Sequence, residues 1–287
     1  MNTQTKRNIG ILIAVIALAV MVWFGKQGYR DAIAYEAKTG QIARHMDAAG
    51  VAELKLKELA SLFTLGLVPN DTKERLLQWE KERHQAKIAA QQDALYFGLA
   101  AAVLVGLYFL LPLRGFVITI ALGALVALIN GLITPIMLMI VHKKVEYLGD
   151  VILSFESKGL LGTILKLYQE NSLTVAIVLL TFSVLVPLVK TLSILAVAVY
   201  ETSPFAAGMV RFFRHLGKWS MLDVFVVALL LVYLTSSHSD ITRAEPEIGL
   251  YFFLTYVLLS MIASLAADRM LHLQTTAAEA SAETSSA

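Results

Sequence analysis

Residues 173–200, LTVAIVLLTFSVLVPLVKTLSILAVAVY, are the clearest indication of the fold in this sequence. These 28 residues contain a single charged side chain, that of Lys190. A helix of about 20 apolar residues is long enough to cross the hydrocarbon core of a bilayer. The stretch is therefore predicted to be a membrane-spanning helix, and its extra length predicts that the helix tilts, kinks or protrudes.

Apolar blocks of similar length occur on both sides of this stretch. The whole chain has 287 residues, of which 57% are apolar and 16% are charged, whereas soluble domains have about 45–50% and about 25%. The five further blocks with few or no charges are 8–25, 94–113, 116–142, 219–236 and 248–267. The sequence thus predicts an all-α, polytopic membrane protein with six transmembrane helices. Pro135 and Pro187 lie inside the two longest blocks, where proline predicts a helix kink.

The N-terminal section, 1–113, is predicted to be a transmembrane helix pair that carries a helical insert at 26–93. Asp71 and Glu74 form a start that resembles a capping box, and the helix that begins there is predicted to continue into the second span. The first block is interpreted as an uncleaved anchor, with a cleaved signal peptide as the alternative. Residues 274–287 are predicted to be a disordered tail.

The charge distribution predicts an orientation and excludes some functions. With both termini in the cytoplasm, short inside segments carry seven basic residues and short outside segments carry five, so the insert is predicted to be periplasmic.

No dense basic run is present, which argues against nucleic acid as a partner. The chain has no cysteine, six dispersed histidines and no phosphate-binding loop. We therefore expect no enzyme activity, no metal and no cofactor.

Polar side chains within the spans are the candidate functional residues. Lys190 follows 17 uncharged residues, and Asp223 lies four residues after Trp219. Ionisable groups inside a membrane are costly and are functional candidates by default. We predict that Lys190 and Asp223 form one substrate or proton site near the cytoplasmic side, with Ser220 and Thr191 beside it. The alternatives are that Lys190 snorkels to the interface and that Asp223 stabilises a helix N-terminus.

Several segments resemble the paraquat-inducible protein A family of bacterial inner-membrane proteins. Residues 217–228, GKWSMLDVFVVA, are similar to the family signature, and 186–190, VPLVK, and 134–137, TPIM, resemble steps in its first two helices. The residues that carry the signature here are Gly217, Trp219, Met221 and Phe225. The resemblance extends from about residue 115 to residue 273.

The resemblance implies a four-helix membrane module over 114–273 and a role in moving lipid between the inner and outer membranes. It implies membrane lipids and a periplasmic protein of the mammalian-cell-entry type as partners. The better-known members carry two modules and Cys-rich zinc ribbons, whereas this chain has one module and no cysteine, so a homodimer is a further hypothesis. The alternatives are a proton-coupled transporter of small molecules or ions, and a non-transporting scaffold in envelope stress.

Overall fold

A computed structural model describes residues 3–45, 71–145, 149–200 and 242–286. Within them, five helices are long and apolar enough to cross a membrane. The α-helices are α1 (Thr3–His45), α2 (Asp71–Gly106), α3 (Leu113–Ile133), α4 (Leu160–Gln169), α5 (Leu173–Leu180), α6 (Val186–Val199) and α7 (Ile248–Ser286). The predicted all-α, polytopic membrane fold is confirmed for the membrane-spanning part, to which a small sheet is added. The sixth predicted span, 219–236, lies outside the described residues.

The N-terminal pair consists of two helices that are longer than a membrane is thick. Helix α1 has 43 residues and α2 has 36, which correspond to about 65 Å and about 54 Å. The hydrocarbon core measures about 30 Å, so both helices continue well beyond it. The start of α2 at Asp71 agrees with the capping signal, and α2 enters the second span without a break.

Helix α3 forms the centre of the bundle. Small and apolar residues along it are buried by α1, α2, α6 and α7. At Gly131 the helix approaches the backbone of α7, since an added Cβ would lie 2.9 Å from the backbone nitrogen of Phe253. Small residues allow this spacing, because membrane helices associate by close packing rather than by expelling water.

A three-stranded antiparallel sheet follows α3, in the order β2, β1, β3. The strands are β1 (Met137–Val145), β2 (Gly149–Lys158) and β3 (Thr242–Pro246). Met137 pairs with Lys158 of β2 and with Pro246 of β3. The sheet lies beside the N-terminal pair. Leu138 of β1 is fully buried against Tyr35 of α1 and Ala86 of α2. The sheet is an addition to the helical fold that the sequence did not predict.

The sheet corrects the prediction of a helical span over 116–142 and of a helix kink at Pro135. Helix α3 ends at Ile133, and Thr134 has extended backbone angles of −78° and 143°. A residue that precedes proline is disfavoured in the helical conformation. Pro135 thus lies after the helix, at the turn into β1, and bends no helix.

The fourth span runs from Leu173 to Val199 and comprises α5, a π turn and α6. The π turn covers Thr181–Leu185, and the Val186 N–H donates to the carbonyl of Thr181 five residues earlier. Pro187 follows in the first turn of α6, and its nitrogen has no hydrogen to donate to the preceding turn. A π turn commonly bends a helix, and this one lies immediately before Pro187, where a helix kink is predicted.

Helix α7 differs from the prediction at its C-terminal end. It continues in helical form to Ser286, where the sequence was predicted to be disordered from residue 274. Alanine is the commonest residue there, with five of the 14 positions 274–287, and it has the highest helix propensity.

Candidate functional site

The candidate site predicted around Lys190 is on the face of α6 that points into the bundle. Pro187, Thr191 and Ile194 are buried on this face, and Lys190 lies within the same sector of the helix by its 100° steps. The Lys190 side chain is half-buried. It is nine residues before Val199, so its backbone is about 14 Å along the helix from that end.

Polar groups line this face of α6 at successive turns. Thr191 is 2% exposed, and its hydroxyl donates to the Pro187 carbonyl at 2.9 Å. The Ser193 hydroxyl donates to the Val189 carbonyl at 2.6 Å. The Tyr256 hydroxyl reaches the Pro187 carbonyl from α7, at 3.4 Å. The carbonyl of Pro187 thus receives two side-chain hydroxyls, and the surroundings of Lys190 are polar although they lie within a membrane span.

The C-terminal end of α6 is held by the start of α3. Arg114 Nε donates to the Ala198 carbonyl at 2.9 Å, and its Nη2 donates to the Val199 carbonyl at 3.0 Å. A guanidinium at this position satisfies carbonyls that have no partner within the helix and matches the negative end of the helix dipole. The contact fixes α6 against α3 and therefore fixes the position of Lys190.

The other predicted members of the site are at positions that the structure does not describe. Asp223, Ser220 and the signature residues Gly217, Trp219, Met221 and Phe225 lie between residues 201 and 241. The pairing of Lys190 with Asp223 therefore stays a prediction. Of the predicted site residues, the structure brings Lys190, Thr191 and Pro187 together on one helix.

A second polar region joins the N-terminal pair to α7. Asp93 in α2 is 8% exposed and has the Asp31 carboxyl of α1 beside it. Glu247, immediately before α7, is 6% exposed. The sequence places Asp93 at the edge of the second span, but only the register between α1 and α2 reveals that Asp31 faces it.

A small cavity lies next to this region. Its polar lining consists of Tyr35, Lys87, Gln91, Glu247 and Tyr251, and its volume is about 20 Å³. That volume holds about one water molecule and is far too small for a lipid headgroup. The Lys87 ammonium lies 5.8 Å from the centre of the Tyr35 ring, within the range of a cation–π interaction. These contacts connect α1 with α2 and provide no substrate site.

The described residues offer no metal centre, since no three His, Asp or Glu side chains among them are grouped for an ion. The polar face of α6 is therefore the candidate site. A half-buried cation beside buried hydroxyls can bind an anionic group.

Comparison with known proteins identifies the C-terminal part of the chain. Residues 115–275 match the family model described as paraquat-inducible protein A, and this match covers more than half of the 287 residues. No curated protein and no solved structure matches the chain. The matched region begins in α3 and contains the sheet, the fourth span and most of α7, whereas α1 and α2 precede it. The chain is therefore a multi-pass membrane protein that belongs to the paraquat-inducible protein A family.

Proposed function

We propose that this protein is a non-enzymatic, inner-membrane component of intermembrane lipid transport. It passes phospholipid, or a similar lipid, to or from a periplasmic protein of the mammalian-cell-entry type, and both of its termini are cytoplasmic. Family membership supports a membrane protein of the paraquat-inducible system. The lipid-transport role is what the sequence resemblance to this family implies.

The observation that carries the proposal is the position of Lys190. A lysine inside a membrane span is energetically costly and is a functional candidate by default. Lys190 is half-buried on the inward side of α6, beside the buried hydroxyl of Thr191. An ammonium and a hydroxyl can both donate to phosphate oxygens. We therefore assign the phosphate of a lipid headgroup to this position.

Asp223 completes the site in this proposal. In the absence of lipid its carboxylate pairs with Lys190 and lowers the cost of the buried charge. The lipid phosphate then competes with Asp223 for the same ammonium. The exchange of one anion for another lets the protein take up and release lipid without leaving a lysine unpaired in the membrane.

Lipid bound to the purified protein tests the role of Lys190. Lys190→Ala is expected to lower the amount of co-purified phospholipid and to weaken binding of a fluorescent phospholipid in detergent by about tenfold or more. A charged hydrogen bond contributes roughly 1.5–3 kcal/mol, and 1.4 kcal/mol corresponds to a factor of ten. Lys190→Arg keeps the charge and should retain most of the binding.

Leu192→Ala is the matched control, because Leu192 lies on the same helix and is 45% exposed. It should bind lipid like the wild type. Equal binding by the Ala variants at 190 and 192 would refute the headgroup site.

A double-mutant cycle tests the pairing with Asp223. Lys190→Ala and Asp223→Ala should each abolish complementation in a lipid-homeostasis assay while expression is maintained. The double variant should be no worse than either single variant, because each change already removes the pair. Wild-type complementation by either single variant would contradict the pairing.

The proposal includes a homodimer, since a single module needs a second copy to rebuild the two-module arrangement. Mass measurement in nanodiscs is expected to give twice the mass of one chain. A functional monomer would remove the dimer from the proposal and leave the lipid site untouched.

A further inference from the structure

Helix α4 is a short helix between the sheet and the fourth span. Its ten residues, LLGTILKLYQ, have a strongly uneven distribution of apolar side chains. Ile164 is buried, and Leu160 packs against residues of the hydrophobic core. One side of α4 is thus attached to the protein.

A second apolar stripe on α4 faces outwards. Leu161, Leu165 and Tyr168 are 38%, 63% and 64% exposed. Their spacing of four and three residues places them on one face of the helix. The next stripe around the helix consists of Gly162, Lys166 and Gln169, which are also exposed. Helix α4 therefore has three sectors, of which one contacts protein, one is apolar and exposed, and one is mostly polar.

The position of α4 relates these sectors to the membrane. Its start lies at the end of the α3 span, since a Cβ added at Gly159 would lie 3.8 Å from the carbonyl oxygen of Thr134. Its last residue, Gln169, is four positions before Leu173, where the fourth span begins. One span ends and another begins at this level, so α4 lies at a boundary between hydrocarbon and water.

A defined turn fixes the orientation of α4 relative to α5. Asn171 has a positive φ of 61°. The Ser172 N–H donates to the Leu167 carbonyl at 3.0 Å, and the Asn171 N–H donates to the Tyr168 carbonyl at 3.3 Å. This pair of bonds with a left-handed residue is the Schellman motif. The two helices are therefore separate elements joined by a structured corner.

We propose that α4 is an interfacial helix that inserts Leu161, Leu165 and Tyr168 into the bilayer leaflet on the side of the sheet. The exposed stripe is close in sequence to the exposed apolar side chains of Leu173 and Val175 at the start of α5. An amphipathic helix at this level lies in the plane of the interface with its apolar face in the acyl boundary. Tyrosine is enriched at that depth. The partner of this surface is lipid, and the inference is independent of the site at Lys190.

Spin labels on single cysteines test this proposal in the full chain, which has no native cysteine. Leu165→Cys and Tyr168→Cys replace exposed side chains, so little packing is lost. The protein is reconstituted into phospholipid vesicles, and collision with oxygen, which partitions into lipid, is compared with collision with a water-soluble nickel chelate. We expect an oxygen-to-nickel ratio several-fold higher at 165 and 168 than at the control position.

The matched control is Gly162→Cys, because nothing lies within 4 Å of a Cβ at Gly162. Val178→Cys, in the exposed apolar part of α5, gives the reference for a lipid-facing label. Ratios at 165 and 168 as low as at 162 would overturn the proposal. Strong dipolar broadening between labels at 165 on two chains would overturn it as well, since a second copy would then cover the stripe.

Discussion

At the scale of single residues, two glycines determine how closely the helices of the family module approach their neighbours. Gly131 faces the backbone of Phe253 in α7, and Gly249 faces the turn between α3 and β1. The Gly249 N–H donates to the Pro135 carbonyl at 3.0 Å. Backbone in contact with backbone leaves no side chain that could move away, so these positions accept no added Cβ without a shift of an element.

Gly249→Ala is expected to destabilise the protein. The new Cβ would lie 2.5 Å from the Thr134 carbonyl oxygen, and overpacking of this kind costs typically about 1–3 kcal/mol. The melting temperature in detergent, followed by loss of monodisperse protein, should fall. Gly98→Ala is the control, since nothing lies within 4 Å of a Cβ there, and alanine favours a helix by up to about 1 kcal/mol. An unchanged melting temperature for Gly249→Ala would contradict the close approach.

At the scale of elements, the N-terminal pair is attached to the module through specific contacts rather than by its connection alone. Gly25 of α1 lies against the side chain of Asn130 in α3. The Asn130 amide donates to the Val126 carbonyl at 2.8 Å, which orients it towards α1. Phe97 of α2 and Phe252 of α7 pack with their ring centres 4.6 Å apart. The pair is thus packed into the same bundle as the matched region.

Gly25→Ala is expected to weaken the contact between α1 and α3, because its Cβ would lie 2.5 Å from Asn130 Oδ1. Asn130→Ala removes the obstacle and should rescue the Gly25→Ala variant. In a double-mutant cycle on thermal stability, the double variant should be more stable than the sum of the single effects predicts, with a coupling of about 0.5–3 kcal/mol. Strict additivity would show that the two helices do not meet at this point.

At the scale of the whole molecule, the sheet defines one side of the membrane. Its strands come from two segments, before and after the fourth span, and it contacts the extended parts of α1 and α2. Arg114 joins the start of α3 to Val199 at the other end of the bundle. Residues 71–93, the sheet and α4 therefore share one side, which the proposed orientation places in the periplasm, and Val199 lies at the other.

Single cysteines at exposed positions test this sidedness. Glu74→Cys and Glu170→Cys should react with a membrane-impermeant maleimide on intact cells, since both lie on the sheet side. Thr5→Cys should react only after lysis, because the N-terminus is cytoplasmic in the proposed orientation. The reverse pattern would invert the orientation and leave the fold intact. Opposite labelling of positions 74 and 170 would contradict the fold itself.

The membrane class, the approximate spans and the family can all be recognised from the amino-acid sequence. These properties depend on runs of apolar residues and on local motifs, which can be recognised without knowing which segments meet. Lys190 could be selected for the same reason, since a charge within a long apolar run is visible in one dimension. Its placement on the buried face of α6, beside Thr191, follows from the helical period once the packed side is known.

The contacts between distant segments are visible in the folded structure and not in the sequence. The pairing of Met137 with Pro246 and the position of Asp31 beside Asp93 depend on a register between segments that no local pattern encodes. The end of α3 at Ile133 was missed because the apolar run continues into β1, and hydropathy does not separate a helix from a buried strand. The backbone preference of Thr134 before Pro135, combined with pairing to β2 and β3, converts this part of the run into sheet.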